Sequence, residues 1–160
     1  MIRLACEEDM PRLLAIYAAA RQFMRQNGND AQWGGNYPDE TDLRADIAAR
    51  RLYVVEEWGV CACFMMAAGP DVTYRVIYDG AWASDTPYGV IHRVASDGTR
   101  SGILRQCVAF ARKDYSHLRI DTHKKNLPMQ RALAKEGFVH RGTIITGDGT
   151  PRMAYDWIGE

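Results

Sequence analysis

The sequence predicts an α/β protein of the α+β type, in which helices flank one mixed, largely antiparallel sheet. Three observations lead there. Residues 88–136 read as strand, glycine loop, helix, strand, helix, and the two strands of such a succession run parallel because the intervening helix carries the chain back to its starting edge. Trp58-Gly59 and Gly147-Asp148-Gly149 each separate two runs of strand-forming residues, the signature of a hairpin with antiparallel arms. Apolar residues also recur at helical spacing twice before the first hairpin. Elements in this order share one sheet, so parallel and antiparallel pairs must coexist in it.

Residues 2–5 read as a short strand. From Asp9 onward Leu13, Leu14, Ile16, Tyr17, Ala20 and Met24 share one face of a helix, with Pro11 suited to its first turn and Asn27-Gly28-Asn29 ending it. Residues 30–39 hold Trp33, Gly34, Gly35, Tyr37 and Pro38 and read as an aromatic loop of the kind that touches ligands. Residues 41–50 form a second helix with Leu43, Ile47 and Ala48 inward and Thr41 or Glu40 near its start. Residues 52–57 and 60–67 are the arms of the first hairpin, and 72–78 are either another strand or part of a long loop ending at Trp82. Then come an apolar strand at 88–95, a polar loop at 96–102, and a helix at 103–113 with Ile103, Leu104, Cys107, Val108 and Phe110 inward. A strand at 117–123, a helix at 128–136 closed by Gly137, and two strands about Gly147 complete the chain.

The 160 residues fit one domain, 1–160, because two independent cores would be cramped in that length. Twenty basic side chains balance twenty acidic ones, so no net charge draws the chain to nucleic acid or to an anionic membrane, and neither is expected as a partner. The N-terminus lacks the basic-then-apolar order of a secretion signal and no apolar run reaches membrane-spanning length, so a soluble, cytoplasmic protein is expected. Oligomeric state is open, a homodimer included. Cys61-Ala62-Cys63 is one residue short of a metal-binding C-x-x-C and has no partner pair; no metal site is expected, and Cys61, Cys63 and Cys107 read as buried free thiols.

The chemistry is written in residues 90–104, where a strand runs through a glycine loop straight into a helix. The first turn of a helix leaves N–H groups unpaired at the positive end of its dipole, so a phosphate there gains several hydrogen bonds. Gly98 and Gly102 let the backbone come close, and Arg100 can add a charge-assisted contact. A plain strand-to-helix turn, whose glycines only supply positive φ, fits the same residues.

Several segments resemble, in order, the GNAT superfamily of N-acetyltransferases. Ile2-Arg3-Leu4-Ala5 with Asp9 is similar to the family's opening, Val94-Ala95-Ser96 and the glycine loop to its coenzyme A strand and loop, and Asn126, Pro128 and Leu133-Ala134-Lys135-Glu136-Gly137-Phe138 to its closing segment. The resemblance implies a single sheet whose fourth and fifth strands are parallel and splayed, and acetyl-CoA as cofactor. It further implies that the backbone of Asp97, Gly98, Thr99, Arg100, Ser101, Gly102 and Ile103 binds the coenzyme A pyrophosphate. Val94, Ala95 and Ser96 would pair with the pantetheine arm, the Val94 N–H would face the thioester oxygen, and Asn126 would lie near the thioester. Two residues depart from the family pattern. Leu104 stands in the loop where a small residue is usual, with Thr99 at the loop's first position, and Leu133 occupies the place of a tyrosine thought to protonate the leaving thiolate.

An amine arriving as ammonium needs a base, and His92, two residues before Val94 on the same strand face, is the candidate. A histidine hydrogen-bonded in a polar core fits equally. Asp121 and His123 alternate inward on the next strand with His117 and Arg119 and can orient His92 or a water. Trp33, Tyr37, Tyr74, Tyr78 and Trp82 would wall the acceptor pocket, with Asp30 or Asp79 adding charge, or would pack the loops onto the sheet. The leading reading is an acetyltransferase in which a small-molecule or peptide primary amine attacks acetyl-CoA directly in a ternary complex. The alternative, motivated by Leu104 and Leu133, is a non-catalytic acyl-CoA-binding or regulatory module. Cysteine acyl-enzyme chemistry is disfavoured because Cys107 has no identifiable base.

Overall fold

A computed structural model describes residues 1–159. Seven strands form one sheet in the order β1-β2-β3-β4-β5-β7-β6: β1 is Ile2–Leu4, β2 Leu52–Glu56, β3 Val60–Ala68, β4 Gly89–Ser96, β5 His117–Thr122, β6 Val139–Ile145 and β7 Pro151–Ile158. Helices α1 (Met10–Gln26), α2 (Glu40–Ala48), α3 (Ile103–Ala111) and α4 (Leu127–Lys135) flank it. Every strand pair is antiparallel except β4 with β5, which is the mixed sheet the two hairpins and the crossover require.

The apolar spacing of α1 is satisfied as read. Leu13, Ile16, Tyr17 and Ala20 pack with Leu43, Leu52, Val54, Cys63 and Ala95 on one face of the sheet. On the other face Cys107, Val108, Ala111 and Leu133 pack against Phe64, Ile91, Leu118 and Ile120. Asp39 caps α2, its side chain accepting from Asp42 N while Asp42 accepts from Asp39 N, so the start lies just before Glu40. Gly137, at φ 85°, ends α4 and lets Phe138 N return to Leu133 O. Residues 72–78 do not form a strand: Val72–Tyr74 is one turn of 3-10 helix, and Tyr78 makes a single antiparallel bridge to Thr143. This loop covers the half of the α1 face that α1 and α2 leave bare, with Tyr74 packed against Met65, Val90, Ile144 and Ala154.

Two irregularities in β4 create the functional region. It pairs with β5 only at Gly89–Leu118 and Val90–Arg119, and beyond those rungs the two strands diverge. On its other side, the register with β3 shifts between Cys63 and Met65, so that Arg93 and Val94 together face one residue, Phe64. Arg93 takes φ 54° there, a bulge that re-aims the peptide following it.

Candidate active site

Where β4 and β5 part, a cleft of about 540 Å³ opens between α1, the end of β4, the start of α3 and the start of α4. Its wall includes Val94, Ala95, Ser96, Asp97, Gly98, Ile103, Leu104, Asn126 and Met129. That volume falls within the roughly 300–1,000 Å³ of small-molecule sites. Gly102 begins α3 at φ 73° with no side-chain cap, and a Cβ at Gly98 or Gly102 would meet nothing within 4 Å. The first-turn amides of α3 therefore lack intrahelical partners and face open space, as an anion requires. The loop itself is pre-shaped. Asp97 accepts from Thr99 N and Thr99 Oγ1 and pairs with Arg12; burial opposes its ionisation, but these partners hold its carboxyl below the usual range. Arg12 thus offsets the Asp97 charge at the edge of the cleft. Thr99, Arg100, Ser101 and Gly102 do not line the cleft, and Arg100 leans toward Glu57 at 3.9 Å.

A second cleft, about 750 Å³, lies against the first, and Met24, Val94, Asn126 and Met129 belong to both walls. His92 sits in it. Nε2 is 2.8 Å from Asp71 Oδ2 and Nδ1 is 3.8 Å from Asp121 Oδ2. An ionised Asp71 accepts from Nε2–H, which leaves the Nδ1 lone pair facing Asp121 and the cleft. Burial opposes ionisation of Asp71, yet hydrogen bonds from His92 and from Thr73 keep its carboxyl below the ordinary range. Asp121 is fixed by Tyr74, whose hydroxyl donates to Oδ2 at 2.6 Å; burial, then the Asp121 charge, push that phenol well above its usual pKa.

The Arg93 bulge is held from three sides. Its guanidinium pairs with fully buried Asp46, which also accepts from Arg51 Nε at 2.8 Å. Its Nε donates to Tyr37 Oη at 3.0 Å, and Tyr17 Oη donates to Arg93 O at 2.7 Å. In a trans peptide the C=O and N–H point opposite ways, so this last bond turns the Val94 N–H away from Tyr17. Asn126 caps α4, accepting from Met129 N at 3.2 Å, and donates to Gln32 Oε1 at 3.0 Å.

The sequence-derived acceptor residues divide. Trp33, Tyr37 and Asp121 line the second cleft, although Trp33 is buried edge-on against Tyr17. Tyr78, Trp82 and His123 do not line it. Tyr78 is half exposed and bridged to Thr143, while Trp82 donates to Tyr74 O and stacks on Arg119. His123 is buried and accepts from Lys125 N at 3.1 Å. Trp82 and His123 are held by protein contacts, and Tyr78 stands on the surface beside β6. Asp71, Arg93, Tyr17 and Gln32 were not singled out from sequence as site residues, and only Tyr17 carried a signal, as part of the inward face of α1. All four cysteines are free, and burial pushes the Cys63 thiol up to about 12 and Cys107 up as well, so neither is a nucleophile at neutral pH. Leu133 is fully buried in the core and offers no proton. Among the described residues no cluster of metal-ligating side chains occurs and no helix is long and apolar enough to cross a membrane.

No protein-family model and no curated protein matches the chain. Solved structures do. An acetyltransferase of the GNAT family from Streptococcus agalactiae is 30% identical, with a TM-score of 0.89 over 100% of this chain and 95% of that one. A ribosomal-protein-alanine N-acetyltransferase from Brucella melitensis shares the fold at 21% identity, TM-score 0.63, with 99% of each chain covered. AAC(6')-Ib in complex with ribostamycin and coenzyme A does so at 20% identity, TM-score 0.67, over 99% of this chain and 92% of that one. The parallel, parting β4–β5 pair and the full-length likeness at 30% identity lead to one conclusion: this chain belongs to the GNAT family of acetyltransferases.

Proposed function

We propose that the chain transfers the acetyl group of acetyl-CoA to a primary amine, the amine attacking directly while both substrates are bound. The observation that carries this reading is the meeting of two clefts at Val94 and Asn126, one with a helix N-terminus at its edge and the other holding a carboxylate-paired histidine. The residues present fit coenzyme A. The α3 amides suit a diphosphate, the amides of Asp97, Gly98 and Thr99 being already bonded to Cys61 O, Ser96 Oγ and Asp97 Oδ1; the open edge of β4 at Val94, Ala95 and Ser96 suits an amide-bearing arm, and the apolar wall of Met129, Ala132 and Phe23 suits a slender alkyl chain. Bound there, acetyl-CoA supplies an activated acyl group. Two structural neighbours, AAC(6')-Ib complexes with coenzyme A and with acetyl-CoA, support the assignment.

In this reading Asp121 and His92 Nδ1 receive the ammonium and Nδ1 takes one proton, freeing the nitrogen lone pair. The Val94 N–H, aimed by Tyr17, then stabilises negative charge as it gathers on the acyl oxygen. The C–N bond forms, the nitrogen gives its second proton to solvent, the C–S bond breaks, and thiolate leaves. Leu133 cannot protonate it, but with a thiol pKa near ~8.5 releasing a bare thiolate at pH 7 costs only about 2 kcal/mol. Four free cysteines suit a reducing, cytoplasmic setting.

Thermal shift with coenzyme A, joined to an acetyl-CoA-dependent thiol-release screen over an amine library, tests the whole. A stabilising shift with no thiol release across the library would replace the enzyme with an acyl-CoA-binding module. Two substitutions test its parts. Asp71→Asn puts an amide donor beside Nε2 and favours the tautomer with the proton on Nδ1; kcat/KM is expected to fall about 10²-fold or more with KM for acetyl-CoA unchanged. Gly102→Val forces a β-branched residue to φ 73°, a strain of about 1–2 kcal/mol, and sets a side chain before the α3 amides. KM for acetyl-CoA should rise roughly tenfold or more, whereas Gly102→Asn, which tolerates that φ, should lose less. Equal KM in all three proteins would move the diphosphate elsewhere.

A further inference from the structure

The second cleft carries a charge the mechanism does not use. Three arginines line it, Arg51, Arg93 and Arg152. The first two share a single counter-ion, Asp46. Arg152, on β7, is only 8% exposed, and it enters no ion pair among the described residues. Its Nη2 donates to Gln32 O at 3.0 Å and its Nε has no partner. A buried guanidinium without a counter-ion is rare, because a lone charge is costly to remove from water. Asp148 lines the same cleft and its carboxylate feels the Arg152 charge, but it forms no ion pair with the guanidinium, and its Oδ1 accepts from Thr146 Oγ1 and from Thr150 N at 3.0 Å.

Register places this cation relative to the acidic pole. Asp121 pairs with Ala154 across β5 and β7, and Arg152 lies two residues before Ala154 on the same face of β7. Such diagonal neighbours lie about 7–8 Å apart at Cα. The cleft floor therefore presents Asp121 and His92 at one point and an arginine without an ion-pair partner one diagonal away. A polyamine, or any acceptor bearing a second positive group there, would meet repulsion at Arg152; a carboxylate would meet a matched donor fork.

We propose that the acceptor is an amine carrying a carboxylate a few atoms from its nitrogen, a free amino acid being the simplest case. Arg152 binds the carboxylate while Asp121 and His92 receive the ammonium. This rests on the acetyl-transfer reading above, and it narrows the substrate class. Arg152 also ties the loop before α2 to β7 through Gln32 O, so the test must separate recognition from support.

The probes are the proteinogenic L-amino acids, each with its α-carboxamide, measured both by thiol release with acetyl-CoA and by calorimetric binding in the presence of coenzyme A. With wild type, the best acid should exceed its carboxamide in kcat/KM by at least about tenfold, although the carboxamide's amine loses its proton more readily. Arg152→Gln keeps a donor for Gln32 O and removes the charge. There the ratio should fall to within about threefold, through loss with the acid and little change with the carboxamide. A purely supporting role would lower both together. Carboxamides used as well as acids by wild type, a preference that survives in Arg152→Gln, or no binding and no turnover across the panel, would each overturn the proposal. Acids bound in preference to carboxamides with no thiol released by any amine would leave the carboxylate site standing and end the acetyl-transfer reading. Brisk thiol release with amines lacking an anion, and equally with the carboxamides, would do the reverse.

Discussion

His92→Ala is expected to lower kcat/KM about 10³-fold near neutral pH and far less at high pH. The sign follows from the acceptor. Near pH 7 a primary amine is almost all ammonium, and the nitrogen cannot attack until a base removes a proton; above the amine's own pKa the solvent has already removed it. Nδ1, left free by the Nε2 contact to Asp71 at 2.8 Å, is placed for that transfer. The profile of the variant should thus climb with pH toward that of wild type. A loss of equal size at every pH, with an unchanged melting temperature, would assign His92 to packing between Tyr74 and β4 instead.

Asp46→Ala is expected to destabilise the fold by about 3 kcal/mol, the lower end of the range for breaking a buried pair. Asp46 is fully buried on α2 and pairs with both Arg51 and Arg93. Arg51 keeps 40% of its side chain in solvent, so its stranded charge is largely screened and most of the loss comes through Arg93. For a chain of this length the melting temperature should drop by about 6–12 °C. The surviving folded protein should also be slower, because Arg93 holds the bulge that aims the Val94 amide. A melting temperature within 2 °C of wild type, roughly half a kcal/mol, would show that water replaces the carboxylate at little cost.

The fold was legible wherever local chemistry decides it. Gly102, Asn126 with Pro128, and Gly137 mark helix ends by conformations that few other residues adopt, and α3 and α4 begin and end within two residues of the positions those signals give. Trp58-Gly59, both at positive φ, turns β2 into β3 as read. The site was legible only along β4. His92, Val94 and the loop could be named because they follow one another in sequence, and Asp121 because strand alternation aims it at the same face. Asp71 could not, since 21 residues and an irregular loop separate it from His92. Tyr78 and Trp82 lie outside the second cleft, and an aromatic ring in a loop reads alike whether it will meet a ligand or a neighbouring side chain. Arg93 was hidden because the alternation that locates strand residues breaks at the bulge itself.

The parting of β4 from β5 after two rungs has a consequence for solubility. Sheets ordinarily expose unpaired edges only at their margins, where charges, prolines or short strands discourage another chain from adding on. Here two more such edges lie inside the molecule, with α1 and the start of α4 lining the gap beside β4. Those helices stand where a β-strand from a neighbouring molecule would have to enter, so a substitution that loosened α1 is expected to promote aggregation through the middle of the sheet.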